Sequence, residues 1–131
     1  MDLSKEEMDI VNQVEVLAFD QAGCRMIQKR LEDCNKNSPF VRCVLQNLLE
    51  ILPNVMTNQF GNYLCQKLIE VCPVDSLKLF INAVLPEIAQ VATDVHGTRA
   101  VQTLIEVLGK SPSTFIEEII QLGKAFDKKV L

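Results

Sequence analysis

Three glutamines, Gln28, Gln66 and Gln102, each stand four residues after a short side chain able to hydrogen-bond: Cys24, Asn62 and Thr98. Next to that short residue is, each time, a flat group: Arg25, Tyr63 or Arg99. An amide both donates and accepts hydrogen bonds, and residues at i and i+4 share one face of a helix. Such a pair can reach the edge of one nucleobase, while the planar side chain beside it stacks on a base face. The chemistry on offer is therefore recognition. No catalytic residues are expected, since the chain has no glycine-rich phosphate loop, no H-E-x-x-H and no nucleophile elbow. His96, beside Gly97, is expected to pack or hydrogen-bond at a turn. The five cysteines, Cys24, Cys34, Cys43, Cys65 and Cys72, contain no C-x-x-C pair and have only His96 as an imidazole companion. Reduced, mostly buried thiols are expected, with no metal and no cofactor.

The elements that must position these residues emerge from internal repetition. Aligned on Gly23, Gly61 and Gly97, three segments recur at spacings of 38 and 36 residues. The same columns hold Asp20, Asn58 and Asp94, then the three glutamines, then Glu32, Glu70 and Glu106. Each unit reads as a short helix, a turn, a longer helix and a third helix. Asp20, Asn58 and Asp94 fall where a side-chain oxygen would accept from the unpaired N–H groups that open the longer helix. The glycine three residues later would allow two backbones to approach. Third helices are signalled by Ser38-Pro39, by Asp75-Ser76 and by Thr114-Phe-Ile-Glu117, which has capping-box form.

At about 100° per residue, the longer helices divide in the same way. Cys24, Arg25, Gln28, Lys29 and Glu32 share a polar arc opposite Met26, Ile27 and Leu31. Asn62, Tyr63, Gln66, Lys67 and Glu70 oppose Leu64, Cys65, Leu68 and Ile69. Thr98, Arg99, Gln102, Thr103 and Glu106 oppose Ala100, Val101, Leu104 and Ile105. Stacking such units buries one continuous core and aligns the polar arcs into one surface. The fold class expected is all-α, a right-handed α-solenoid of about three helical repeats over residues 12–49, 50–86 and 87–122. An ordinary solvated face would account for any one arc, because Gln, Lys and Glu are common helix formers. It gives no reason for a fixed Gln beside a varying partner in all three. The glutamate column would either hold the neighbouring unit's planar side chain or simply be solvated.

With 48% apolar residues the chain can build a core, and 5% aromatic content suits stacked helices better than sheets. No run of about 18 apolar residues and no charged-then-apolar leader occurs, so no membrane association is expected and a cytoplasmic location is. A net charge of −4 opposes a protein that grips nucleic acid mainly through phosphates. Arg25, Lys29, Lys67 and Arg99 nevertheless fall on the polar arc, which leaves the acidity for the outer face. The Lys128-Lys129 run is too short to carry meaning.

The segments Gly23-Cys-Arg-Met-Ile-Gln28, Gly61-Asn-Tyr-Leu-Cys-Gln66 and Gly97-Thr-Arg-Ala-Val-Gln102 resemble the base-reading segments of the Pumilio (Puf) family, over about residues 12–110. The resemblance implies sequence-specific binding of single-stranded messenger RNA, one base per repeat, as a post-transcriptional regulator. It implies that Cys24 and Gln28 face adenine with Arg25 stacking, and that Asn62 and Gln66 face uracil with Tyr63 stacking. Thr98 and Gln102, with Arg99, depart from the family's commonest sets; adenine is preferred there, with uracil open. Antiparallel binding then implies 5′-A-U-A-3′, with the first base on the third repeat. The order resembles the first three repeats of an eight-repeat domain that binds a UGUA-containing element. A fragment of a longer domain is accordingly expected, with further repeats or another subunit closing the ends and regulatory effector proteins on the outer face. An armadillo- or HEAT-like scaffold for a protein partner is the alternative use of the same architecture.

Overall fold

The computed structural model describes residues 3–130, with side-chain environments through residue 127, so Lys128 and Lys129 lie outside the side chains described. All regular structure among the described residues is helical. The first unit comprises α1 (Lys5–Asn12), α2 (Val14–Leu17), α3 (Gln21–Asp33) and α4 (Pro39–Leu48). The second comprises α5 (Leu52–Met56), α6 (Gly61–Val71) and α7 (Val74–Val84), and the third α8 (Ile88–Thr93), α9 (Gly97–Lys110) and α10 (Ile116–Val130). Short 3-10 turns, Leu49–Ile51 and Leu85–Glu87, join the units. The long helix α6 lies between α3 and α9 and packs on both; α5 and α8 pack on the long helices of their own units. The result is an α-solenoid of three helical units, with α3, α6 and α9 as one layer.

Local chemistry explains the joints. Asp20 Oδ2 accepts the Gly23 N–H at 2.7 Å, Asn58 Oδ1 those of Phe60 and Gly61 at 2.8 and 3.0 Å, and Asp94 Oδ1 those of His96 and Gly97 at 2.9 and 2.8 Å. Each long helix is thus opened by the side chain expected to open it. The glycine that follows meets the short helix of its own unit: a Cβ on Gly61 would sit 2.6 Å from the Val55 carbonyl oxygen and 3.0 Å from that of Ala18 in the preceding unit. A Cβ on Gly23 or Gly97 would likewise crowd the carbonyl oxygen of Leu17 or Val91.

Two helix starts differ from expectation. Asp75 lies in the first turn of α7 rather than before it, because Pro73 takes the N-cap position and Asp75 instead holds Arg42 of α4 at 2.8 Å. Among the described hydrogen bonds, no reciprocal box joins Thr114 and Glu117. A turn with Thr114 N–H donating to the Ser111 carbonyl at 3.1 Å precedes α10. The capping box that does form is at Ser4 and Glu7, with bonds of 3.0 and 3.1 Å.

One apolar core runs through all three units, from Val14, Ile27 and Leu31 through Phe40, Leu52, Leu64 and Leu68 to Phe80, Ile88, Leu104 and Leu108. The helical wheels misplace two apolar and two polar residues. Met26 is 45% exposed although its equivalents Leu64 and Ala100 are fully buried. Ile105 is 54% exposed although its equivalents Leu31 and Ile69 are buried. Met26 occupies the flank that a preceding unit covers in the other two, and Ile105 the flank that a following unit covers. Cys24 and Asn62, assigned to the polar arc, are each only 1% exposed because the next unit's long helix covers that flank; Thr98, in the third unit, is half-buried. Where the second and third units carry Leu68 and Leu104, the first carries Arg30, which pairs with Glu6 and Glu7 of α1 at 3.4 and 3.5 Å.

Candidate nucleic-acid interface

The nine residues singled out by pattern all fall on the layer formed by α3, α6 and α9, within the first turns after the capping residues. Two bonds between units establish that their polar arcs face the same way. Thr103 of α9 donates its hydroxyl to Gln66 Oε1 at 3.1 Å, and Lys67 of α6 meets Glu32 of α3 at 3.1 Å. The flat groups Arg25, Tyr63 and Arg99 are exposed in a row, Tyr63 by 50%. Gln28 and Gln66 are half-buried beside them and Gln102 is exposed. Cys24, Asn62 and Thr98 form the floor.

Between the first and second units this arrangement makes a cleft of about 370 Å³, lined by Cys24, Arg25, Gln28 and Tyr63 together with Gln21, Gln59 and Phe60. The first unit contributes a guanidinium and an amide to its walls and the second a phenol. A planar heterocycle is the ligand class that such walls suit, through stacking and cation–π contact. Gln21 and Gln59 had not been singled out. They share a column two residues before Gly23 and Gly61, which the third unit breaks with Val95, so no threefold repeat marks it.

The floor groups are held by the joints beneath them. The Cys24 thiol donates to the Ala18 carbonyl at 2.8 Å. Burial, with the Asp20 carboxylate adding to it, pushes its pKa up to about 11, so it stays a neutral donor at physiological pH. Cys65 and Cys72 are likewise pushed up by burial. Asn62 Nδ2 donates to the carbonyls of Asn58 and Gln59 at 2.9 and 3.1 Å, and Asn62 Oδ1 accepts from Gln66 Nε2 at 3.1 Å. Of the glutamate column, Glu32 holds Lys67 rather than a planar side chain of the next unit. The His96 backbone N–H donates to Asp94 Oδ1 at the turn before α9.

Charge is unevenly distributed along the chain. The helices α3, α6 and α9 carry six Lys/Arg and four Asp/Glu, a net +2, whereas the chain carries −4, so the remaining segments hold −6. Among the described residues, Arg25, Lys29 and Arg99 form no ion pair. The acidic objection raised by composition therefore does not apply to this layer.

Stacked helical units presenting one continuous polar ridge define the class: an α-helical repeat protein. The Pumilio-family RNA binding repeat matches residues 13–37, 52–85 and 87–111, and the chain belongs to that family. It is 37% identical over 95 residues to a Pumilio domain-containing protein of Schizosaccharomyces pombe, covering 71% of the chain and 14% of the relative. It is 36% identical over 107 residues to Pumilio homolog 11 of Arabidopsis thaliana, covering 77% of the chain and 18% of the relative. Among solved structures, PUF-8 in complex with PBE-RNA superposes with a TM-score of 0.74 at 30% identity, over 91% of the chain and 34% of PUF-8. The RNA-binding domain of yeast Puf5p bound to MFA2 RNA gives 0.73 at 29% identity, over 82% of the chain and 29% of that domain. The chain thus spans less than a fifth of those two curated relatives and about a third of those solved domains. No described helix is long and apolar enough to cross a membrane.

Proposed function

We propose that the chain binds single-stranded RNA along the α3–α6–α9 layer, one base per unit, as part of a cytoplasmic regulator of messenger RNA. The observation that carries this reading is the cleft walled by Arg25 and Tyr63 with the Cys24 and Gln28 side chains at its floor. The net positive charge of that layer supports it, as do the RNA-bound relatives PUF-8 and Puf5p. Arg25, Tyr63 and Arg99 supply stacking, and Gln28, Gln66 and Gln102 meet base edges with Cys24, Asn62 and Thr98 behind them. The family pattern assigns adenine to the first unit, uracil to the second, and adenine or uracil to the third. Binding, without catalysis, is the whole of the proposed activity, and the face opposite the α3–α6–α9 layer is left for effector proteins.

Titration with short RNAs that differ from 5′-AUA-3′ at one base tests the reading. The wild-type chain should prefer uracil at the middle base, and Asn62→Ser with Gln66→Glu should move that preference to guanine, because the family's pairing of Ser with Glu favours it. Equal affinity for all middle bases would defeat the proposal, and tight binding of peptide with indifference to RNA would favour the scaffold reading.

A further inference from the structure

We infer that Thr103, in the third unit, is a positioning residue for the base read by the second unit: its hydroxyl fixes which way the Gln66 amide points. The inference rests on the base-reading proposal above and extends it from the two residues that face the base to one on the next helix.

The polarity of two atoms at the Asn58–Gln59 turn cannot change. The carbonyl oxygens of Asn58 and Gln59 only accept, so the Asn62 side-chain group that meets both, at 2.9 and 3.1 Å, must be its NH2. That places Oδ1 on the other side, facing Gln66 at 3.1 Å. An oxygen facing an amide requires the nitrogen, so Gln66 presents Nε2 to Asn62 and Oε1 to Thr103, 3.1 Å away. Oε1 in turn requires a donor. The Thr103 hydroxyl has a second acceptor within reach, the Arg99 carbonyl at 3.2 Å. If it gave its single hydrogen there, its lone pairs would face Gln66 Oε1, and turning the amide over would set two oxygens against each other at Asn62. The directional chain from the Asn58–Gln59 turn therefore runs through Asn62 and Gln66 and terminates on Thr103.

This orientation has a consequence for specificity. Asn62 is 1% exposed and its NH2 faces two carbonyls, so the second hydrogen of Gln66 Nε2 and the remaining lone pair of Gln66 Oε1 are what a base can meet. A donor beside an acceptor complements a carbonyl oxygen next to the N3–H of uracil. Cytosine presents the reverse at N3 and at its amino group, and an amide that cannot turn over rejects it. The arrangement is particular to this unit: the residues equivalent to Thr103 are Lys29 and Lys67, and Lys67 reaches Glu32 rather than Gln28.

Two substitutions separate the hydroxyl from the rest of the side chain. Thr103→Val keeps the shape and removes the donor, whereas Thr103→Ser keeps the donor. In the RNA-free protein, NMR of the Gln66 side-chain amide should show a changed shift and faster hydrogen exchange in the Val variant and wild-type behaviour in the Ser variant. With RNAs carrying U or C at the middle base, the preference for U should fall by a factor of roughly 2 to 10 in the Val variant, be retained in the Ser variant, and remain unchanged at the first and third bases in both. An unaltered Gln66 amide in the Val variant overturns the inference, as does equal weakening of every RNA, which would make the hydroxyl merely structural. A wild-type chain that does not tell U from C overturns it together with the uracil reading, whereas a wild-type preference that the Val variant keeps overturns the role of Thr103 alone.

Discussion

Tyr63 is the one aromatic residue in α3, α6 and α9, and half of its surface faces solvent, so its ring contributes little to the core. Stacking a base on an aromatic ring contributes about 1–3 kcal/mol, so Tyr63→Ala should weaken RNA binding by roughly 5- to 150-fold while the circular dichroism spectrum is unchanged. Asp94 acts on the fold instead. Backbone N–H bonds from Gly97 and then His96, with a smaller contribution from the His96 charge, hold its carboxyl below the usual 3.8. A depressed folded-state pKa contributes stability that is present above the unfolded value and is lost as pH falls through the folded one. The urea midpoint should therefore drop below about pH 3.8, and Asp94→Asn should make that drop shallower because the amide does not titrate. Asp75, held down chiefly by its hydrogen bond to Arg42, should keep part of the acid sensitivity. A slope identical to wild type in Asp94→Asn would count against the role of the cap.

At the scale of elements, the glycine opening each long helix sets how closely that helix approaches the short one before it. Gly61→Ala would drive a methyl to within 2.6 Å of the Val55 carbonyl and 2.7 Å of Val55 Cγ1, both anchored in a buried helix. The strain should lower stability by about 1–3 kcal/mol. Gly123 in α10 has nothing within 4 Å of such a methyl. Gly123→Ala should accordingly raise stability by about 0.5–1 kcal/mol. Urea midpoints at constant m-value would check both signs, and a stabilised Gly61→Ala would show that the two helices are free to separate. Much of this scale was legible in sequence, because a glycine three residues after Asp or Asn recurs three times and the capping geometry follows from those side chains. The start of α7 was not, since Pro73 and Asp75 both suit a first turn; Pro73 takes the cap, and Asp75 meets Arg42, more than 30 positions away in the chain.

For the whole molecule, the relevant quantities are the number of reading units and the distribution of charge. Three stacked bases supply roughly 3–9 kcal/mol before the RNA is ordered and both partners are immobilised. The 131-residue chain should bind a short AU-rich RNA with a Kd on the order of 10 μM to 1 mM, and with a shallow salt slope because few phosphates are neutralised. Nanomolar affinity, or a steep slope, would mean that contacts outside the α3–α6–α9 layer dominate. Repetition alone revealed the three-unit organisation, the helical fold, the residues that cap the three long helices and the column membership of all nine candidate site residues, because each depends on spacings within one unit. What surrounds each column depends on the units to either side, and only tertiary structure decides that. It buried Cys24 and Asn62 beneath the next helix, exposed Met26 and Ile105 on flanks left uncovered, brought Gln21, Gln59 and Phe60 to the cleft, and set Thr103 against Gln66 across 37 residues of chain. A wheel drawn for one helix separates inside from outside, and stacking alone adds the left and right neighbours that settle which polar atoms are still free to meet a base.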